Sequence, residues 1–330
     1  MSPKARRDRA VFCFLLATLL LLPCGSALAE VRELTLTVTE GTLELDGTKF
    51  MVWTYNGKVP GPEIRVKEGD TVRIKLRNPS GARHGLFFHG LHVSPRVALQ
   101  EEVAVDPGYE YTYEFVAKPA GTHLYHCSWN MAEHLSRGLY GVLIVEAQDE
   151  PKFDQELVYL LSDWNSQAAT GAGHHEMGHP RTMAGTDITT LNERVIAAGN
   201  PTIVQAGRGE RVRIRLAGIG HLPHTLRSDE GFLVTHEDGY PIYQPRKERS
   251  LTLYPGKRYD IVVTLDRSGR VPFYHSITLP QPFSRRASLQ EGHDHDRHDP
   301  AAHPPAPENI AFVLEVKEKQ AKNRQEEKRP

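Results

Sequence analysis

Residues 122–134, THLYHCSWNMAEH, place Cys127 directly after His126 and seven residues before His134. A soft thiolate, two imidazoles and a weak axial group held in a β-sandwich make a blue-copper electron-transfer site. Cys127 and His134 lie on one loop of a length that a metal can bridge, and RHGLFFHG (residues 83–90) offers His84 as the second imidazole from a distant strand. Leu139, five residues past His134, stands where an axial methionine is common. A leucine cannot coordinate, so such a copper would be trigonal with a raised potential.

These residues need a rigid frame, and the rest of the chain is patterned as one. Short runs of alternating apolar and polar residues, such as LTLTVTE, TVRIKLRN, YEYTYEF and GVLIVEA, are separated by Gly, Pro and Asn. Period-two alternation punctuated by turn residues predicts an all-β sandwich with no helical period. The pattern is written twice. PEIRVKEGDTVRIKLRN (62–78) matches PTIVQAGRGERVRIRLAG (201–218), VDPGYEYTYEF matches LYPGKRYDIVV, and HLYHCSW matches PFYHSIT, in the same order. Internal self-similarity of this kind predicts two copies of one β-sandwich, over residues 30–147 and 148–317.

The ends and two insertions stand outside this pattern. Lys4, Arg6, Arg7 and Arg9, then an apolar run from Val11 to Leu22, then Ala27-Leu28-Ala29, read as a signal peptide (1–29) cleaved near Ala29, which predicts a periplasmic or secreted protein. Arg6-Arg7 is compatible with twin-arginine export and equally with an ordinary basic leader. Cleavage would remove Cys13 and Cys24, leaving Cys127 as the lone cysteine. Such a thiol in an oxidising compartment is expected to be buried or committed to a metal or a reaction. Stretches rich in His, Gly and Pro at about 170–185 (His174, His175, Met177, His179) and 291–305 (His293, His295, His298, His303) read either as loose copper-gathering loops or as solvated linkers. Residues 318–330 form a charged tail. Forty Lys plus Arg against 41 Asp plus Glu point to neither nucleic acid nor a membrane surface, and no second apolar run predicts a membrane span in the mature chain.

HGLFFHG, GTHLYHCSWNMAEHLSRGLYGVLIV, HLPHTL and FYHSITL resemble the two-domain multicopper oxidases and their relatives, the copper nitrite reductases. The resemblance implies two tandem cupredoxin-like Greek-key domains. It also implies a type 1 copper at His84, Cys127 and His134, with Leu139 the axial non-ligand. Neighbouring strand residues face opposite ways, so Cys127 can face that copper while His126 faces a second metal. In the family, electrons pass along this pair to a copper centre between the first domain of one subunit and the second domain of a neighbour, typically in a homotrimer.

An oxidase feeds a three-copper cluster with four H-x-H pairs. Here each pair keeps one member: His89 with Phe87, His126 with Ser128, His224 with Leu226, and His275 with Ile277. Four imidazoles are too few for three coppers, which disfavours a laccase-like oxidase. By position His89, His126 and His275 would hold one type 2-like copper, with His224 the assisting catalytic group. The nitrite reductases carry an aspartate where this chain has Phe87, and a phenyl ring cannot be a general acid. The expectation is therefore an exported copper oxidoreductase that takes electrons from a soluble donor and reduces a small substrate such as nitrite, oxygen or another oxidant. The alternative is a blue-copper electron carrier or copper-handling protein with a decayed second site. His221 matches a type 1 ligand, but Ser276 replaces the cysteine there, so no blue copper is expected in the second half. His92 reads as a polar residue at a strand end.

Overall fold

The computed structural model describes residues 29–93, 103–169, 186–197, 199–277 and 309–318, and these are nearly all β. The leader, both His-rich stretches and most of the tail lie outside the described residues. No helix among the described residues is long and apolar enough to cross a membrane.

The first half is two four-stranded sheets face to face. Strands β1 (Val31–Leu45), β2 (Thr48–Tyr55), β4 (Thr71–Arg77) and β6 (Glu110–Val116) run in the order β2-β1-β4-β6. Strands β3 (Ile64–Lys67), β5 (Phe87–His89), β7 (Gly121–His126) and β8 (Tyr140–Glu146) run β3-β8-β7-β5. Alternation sets the faces: Val72, Ile74 and Leu76 of β4 are buried against Phe88, Tyr113, Tyr125 and Cys127, while Arg73 and Arg77 of the same strand reach glutamates at the surface.

The second half repeats the pairings of the first. Strands β9 (Gln155–Trp164), β10 (Ile188–Leu191), β11 (Arg194–Val195), β12 (Thr202–Gly207), β13 (Arg211–Gly218), β14 (His224–Glu237), β15 (Tyr240–Leu253), β16 (Arg258–Thr264), β17 (Gly269–Ile277) and β18 (Asn309–Lys317) follow in chain order. The parallel pair β1/β4 recurs as β9/β13, β3/β8 as β12/β18, and the antiparallel pairs β4/β6 and β7/β8 as β13/β16 and β17/β18. One difference is structural. The second half is a single hydrogen-bonded sheet of ten strands, because the long β14 bends: Leu233–Glu237 pair with β16 and His224–Arg227 with β17, across register shifts. Bulges of this kind bend a strand and let one sheet fold over its own core.

Strict alternation fails in β7, where all six residues are buried. The reason is tertiary. Leu124 of β7 and Tyr140, Val142 and Ile144 of β8 pack their outer face on Leu160, Ala217 and Ile219 of the second half. Beside this apolar contact, Thr122 donates to Asp260 Oδ1 (2.6 Å) and accepts from Arg215 Nη1 (2.9 Å).

Two short helices depart from the all-strand expectation: α1 (Met131–Ser136) and α2 (Ser166–Ala169). A turn and a half is too short to write an apolar period into sequence. The turn α1 carries His134, starts after Asn130 in a left-handed conformation (φ 40°) and ends before Gly138 (φ 100°). A Cβ on Gly138 would come within 2.7 Å of Val59, so glycine lets the loop close onto the sandwich.

Candidate metal centres

Cys127 directly follows β7 and faces inward, His134 comes from α1, and His84 from the bridge to Val105 just before β5. Cys127 Sγ lies 3.0 Å from His134 Nδ1 and 3.8 Å from His84 Nδ1, and the two imidazole nitrogens are 3.2 Å apart. All three residues are buried, and their donor atoms lie within 4.8 Å of one another. The other nitrogen of His84, Nε2, is 2.9 Å from Ser80 Oγ, which fixes the ring. Burial pushes the Cys127 thiol up to about 11 and draws His84 down to about 3 and His134 down to about 4. An apolar enclosure that opposes the free thiolate, around neutral imidazoles converging on one point, suits a small soft cation such as copper, which stabilises the thiolate on binding. Leu139 is fully buried, and its carbonyl accepts the Cys127 N–H at 3.0 Å.

His126 turns to the opposite face from Cys127. It stands beside His89, with ring centres 5.8 Å apart and Phe87 against both. In the second half, His224 Nδ1 lies 3.0 Å from His275 Nε2. Burial lowers His89 to about 4 and His275 to about 3. Each half thus holds a pair of neighbouring imidazoles able to take part in metal binding, His126, His224 and His275 buried and His89 half-buried. Within one chain the four do not meet: among the described residues, the His84, Cys127, His134 set is the group of three or more such donors close enough for one ion. The remaining sequence candidates lie elsewhere. His221 Nε2 contacts Ser136 Oγ at 2.7 Å, and His92 Nε2 contacts the Tyr240 hydroxyl at 2.5 Å.

Sequence reasoning missed three neighbours of these groups. Trp53 of β2 lies against both type 1 candidates, 5.0 Å from the His84 ring and 4.6 Å from the His134 ring, under the Arg137 guanidinium at 3.8 Å. Nothing in the alternating run KFMVWTY marks it. His123 is fully buried beside Arg258, with Nδ1 lacking a hydrogen-bond partner among the described residues. Asp163 touches His224, and a signal was available, because a carboxylate interrupts the apolar run VYLLSDW.

Two family models, both described as multicopper oxidase, match residues 37–150 and 155–287. L-ascorbate oxidase of Cucumis sativus is 29% identical over 70% of this chain and 45% of its own length. The copper-containing nitrite reductase of Neisseria meningitidis is 31% identical over 58% of this chain and 50% of its own. This chain therefore spans half or less of each of these two relatives. The blue copper oxidase of Nitrosomonas europaea superposes with a TM-score of 0.68 at 27% identity, covering 87% of this chain and 86% of that one. Matched models over both halves and a shared fold over most of the chain lead to one conclusion: this protein belongs to the multicopper oxidase family.

Proposed function

We propose that the chain is a two-centre copper oxidoreductase in which His84, Cys127 and His134 would hold a type 1 copper, with Leu139 a non-ligand. His89 and His126 would hold a second, type 2-like copper together with His275 of another copy, and His224 would assist at the substrate. The observation that carries this reading is the buried convergence of one sulfur and two imidazole nitrogens, next to a histidine on the opposite strand face. Bound copper supplies one-electron chemistry; the chain contributes rigid burial, exclusion of water, and a direct covalent connection from Cys127 to His126. The separation of the four second-site histidines into two pairs supports a site completed between copies, and so a homotrimer as in the resemblance drawn above. The source of electrons is a soluble donor, and the substrate a small oxidant such as nitrite or oxygen. Export through the leader to the periplasm or outside the cell fits a lone cysteine committed to metal.

Copper analysis with electron paramagnetic resonance on residues 30–330 tests the proposal. About two coppers per chain, one blue and one ordinary, are expected of a thiolate site beside an imidazole site. A blue signal alone would favour the carrier reading, which the same separation of the histidine pairs within one chain also permits. About four coppers would mean a laccase-like cluster and would refute both.

A further inference from the structure

Asp163 lies near the end of β9 with its side chain fully buried. Its Oδ2 accepts the backbone N–H groups of His221 (2.7 Å) and Leu222 (2.9 Å). A Cβ on Gly220 would lie 2.0 Å from that oxygen, so glycine at 220 is what admits the carboxylate. The same Oδ2 stands 3.3 Å from Nε2 of His224. Both His224 Nε2 and Asp163 Oδ1 are buried without a hydrogen-bond partner among the described residues. His224 Nε2 is thus a buried ring nitrogen with the Asp163 carboxylate beside it; Oδ2 already holds two backbone N–H groups and Oδ1 has no partner among the described residues, so a small turn of the ring or the carboxylate pairs the two groups. The other face of the ring is committed: His224 Nδ1 points at His275 Nε2, 3.0 Å away.

We infer that Asp163 is the positioning residue of the second-half histidine pair. It accepts the Nε2–H of His224, fixes that tautomer and ring orientation, and leaves Nδ1 with its lone pair turned to the space beside His275 Nε2. A carboxylate behind an imidazole aligns the ring; the roughly 10–100-fold loss of affinity that follows removal of such a partner applies to an imidazole that itself binds metal, and His224 acts one step removed, through its contact with the ligand candidate His275. The consequence for copper rests on the two-centre reading above; the tautomer does not.

Neutron diffraction from metal-free crystals of the full chain reads the tautomer directly. A deuteron on Nε2 of His224 is the expected result, and one on Nδ1 overturns the inference. Copper titration then compares variants. D163A is expected to weaken the non-blue copper by about tenfold, the low end of the range for a ligand's own partner, and D163N, which keeps an oxygen for the two backbone N–H groups, by less, with the blue absorption of the Cys127 centre unchanged in both. If D163A does not fold, D163N carries the comparison. Unchanged affinity for the non-blue copper, or equal weakening of both centres as a merely structural role would give, refutes the assignment. If the wild-type chain takes up only the blue copper, the two-centre reading fails, while the deuteron position still decides the role of Asp163.

Discussion

Arg215→Met should be the most damaging single change in the contact between the two halves. Arg215 is 1% exposed, and its guanidinium holds Asp260 Oδ2 at 2.7 Å, Glu150 Oε1 and Glu156 Oε2 at 3.0 Å each, and the Thr122 hydroxyl at 2.9 Å. Glu150 and Glu156 would keep Arg213, which binds both. Asp260, itself 1% exposed, would keep the Thr122 hydroxyl and His236 Nδ1 at 3.8 Å, neither of them a fixed cation at close range. The cost therefore concentrates on one buried carboxylate that loses its directly bonded cation, with Arg213 and Arg258 the cations still acting on it, about 3–5 kcal/mol. At about 2–4 °C per kcal/mol for a chain of this size class, the midpoint should fall by roughly 6–20 °C. Calorimetry on R215M, D260L and the double variant measures it. The double variant should be less damaged than the sum of the singles by about 0.5–3 kcal/mol, because it removes the stranded charge. Strict additivity, or a loss under about 1 kcal/mol for R215M, would refute the argument that the pair is coupled and dry.

Three further outcomes are expected. Burial pushes the Asp70 carboxyl up, but hydrogen bonds from the backbone N–H groups of Glu30 and Lys67 and from Arg32 outweigh it and hold it below the usual carboxylate range. Its folded pKa being depressed, its contribution is complete above the unfolded value of about 3.9 and is lost as pH falls through the folded one. D70N should cost about 1–3 kcal/mol at neutral pH and flatten the acid limb of melting temperature against pH; a parallel limb would contradict this. Cys127→Ser should abolish the strong visible absorption expected of a copper thiolate while leaving the far-ultraviolet circular dichroism unchanged, and a variant that stays blue would remove Cys127 from the centre. Leu139→Met should lower the potential of the blue centre by supplying an axial sulfur, as protein-film voltammetry can read, and an unmoved potential would show that residue 139 is not axial.

The placement of the candidate donors was legible in sequence where it is local. Cys127 and His134 share one short loop, and the reach of seven residues bounds what they can jointly hold; strand alternation alone sends Cys127 and His126 to opposite faces, as they are found in the Cys127-containing core and at the His89 contact. The duplication was legible too, because each copy must bury the same face with the same turns, and the strand pairings repeat accordingly. Other features depend on which surfaces dock, and no local period encodes that. Full burial of β7 follows from its contact with the second half, and the Arg215 and Asp260 pair reads in sequence as two ordinary surface charges until Thr122 closes over it. The same holds for Trp53 against two imidazoles contributed by distant segments. The duplication already divided the four histidines between the halves, but packing brings each pair into contact and sets Asp163 behind one of them. Chain geometry governs what neighbours can reach, while long-range contacts are decided by the burial of whole faces, and that is settled only when the two halves meet.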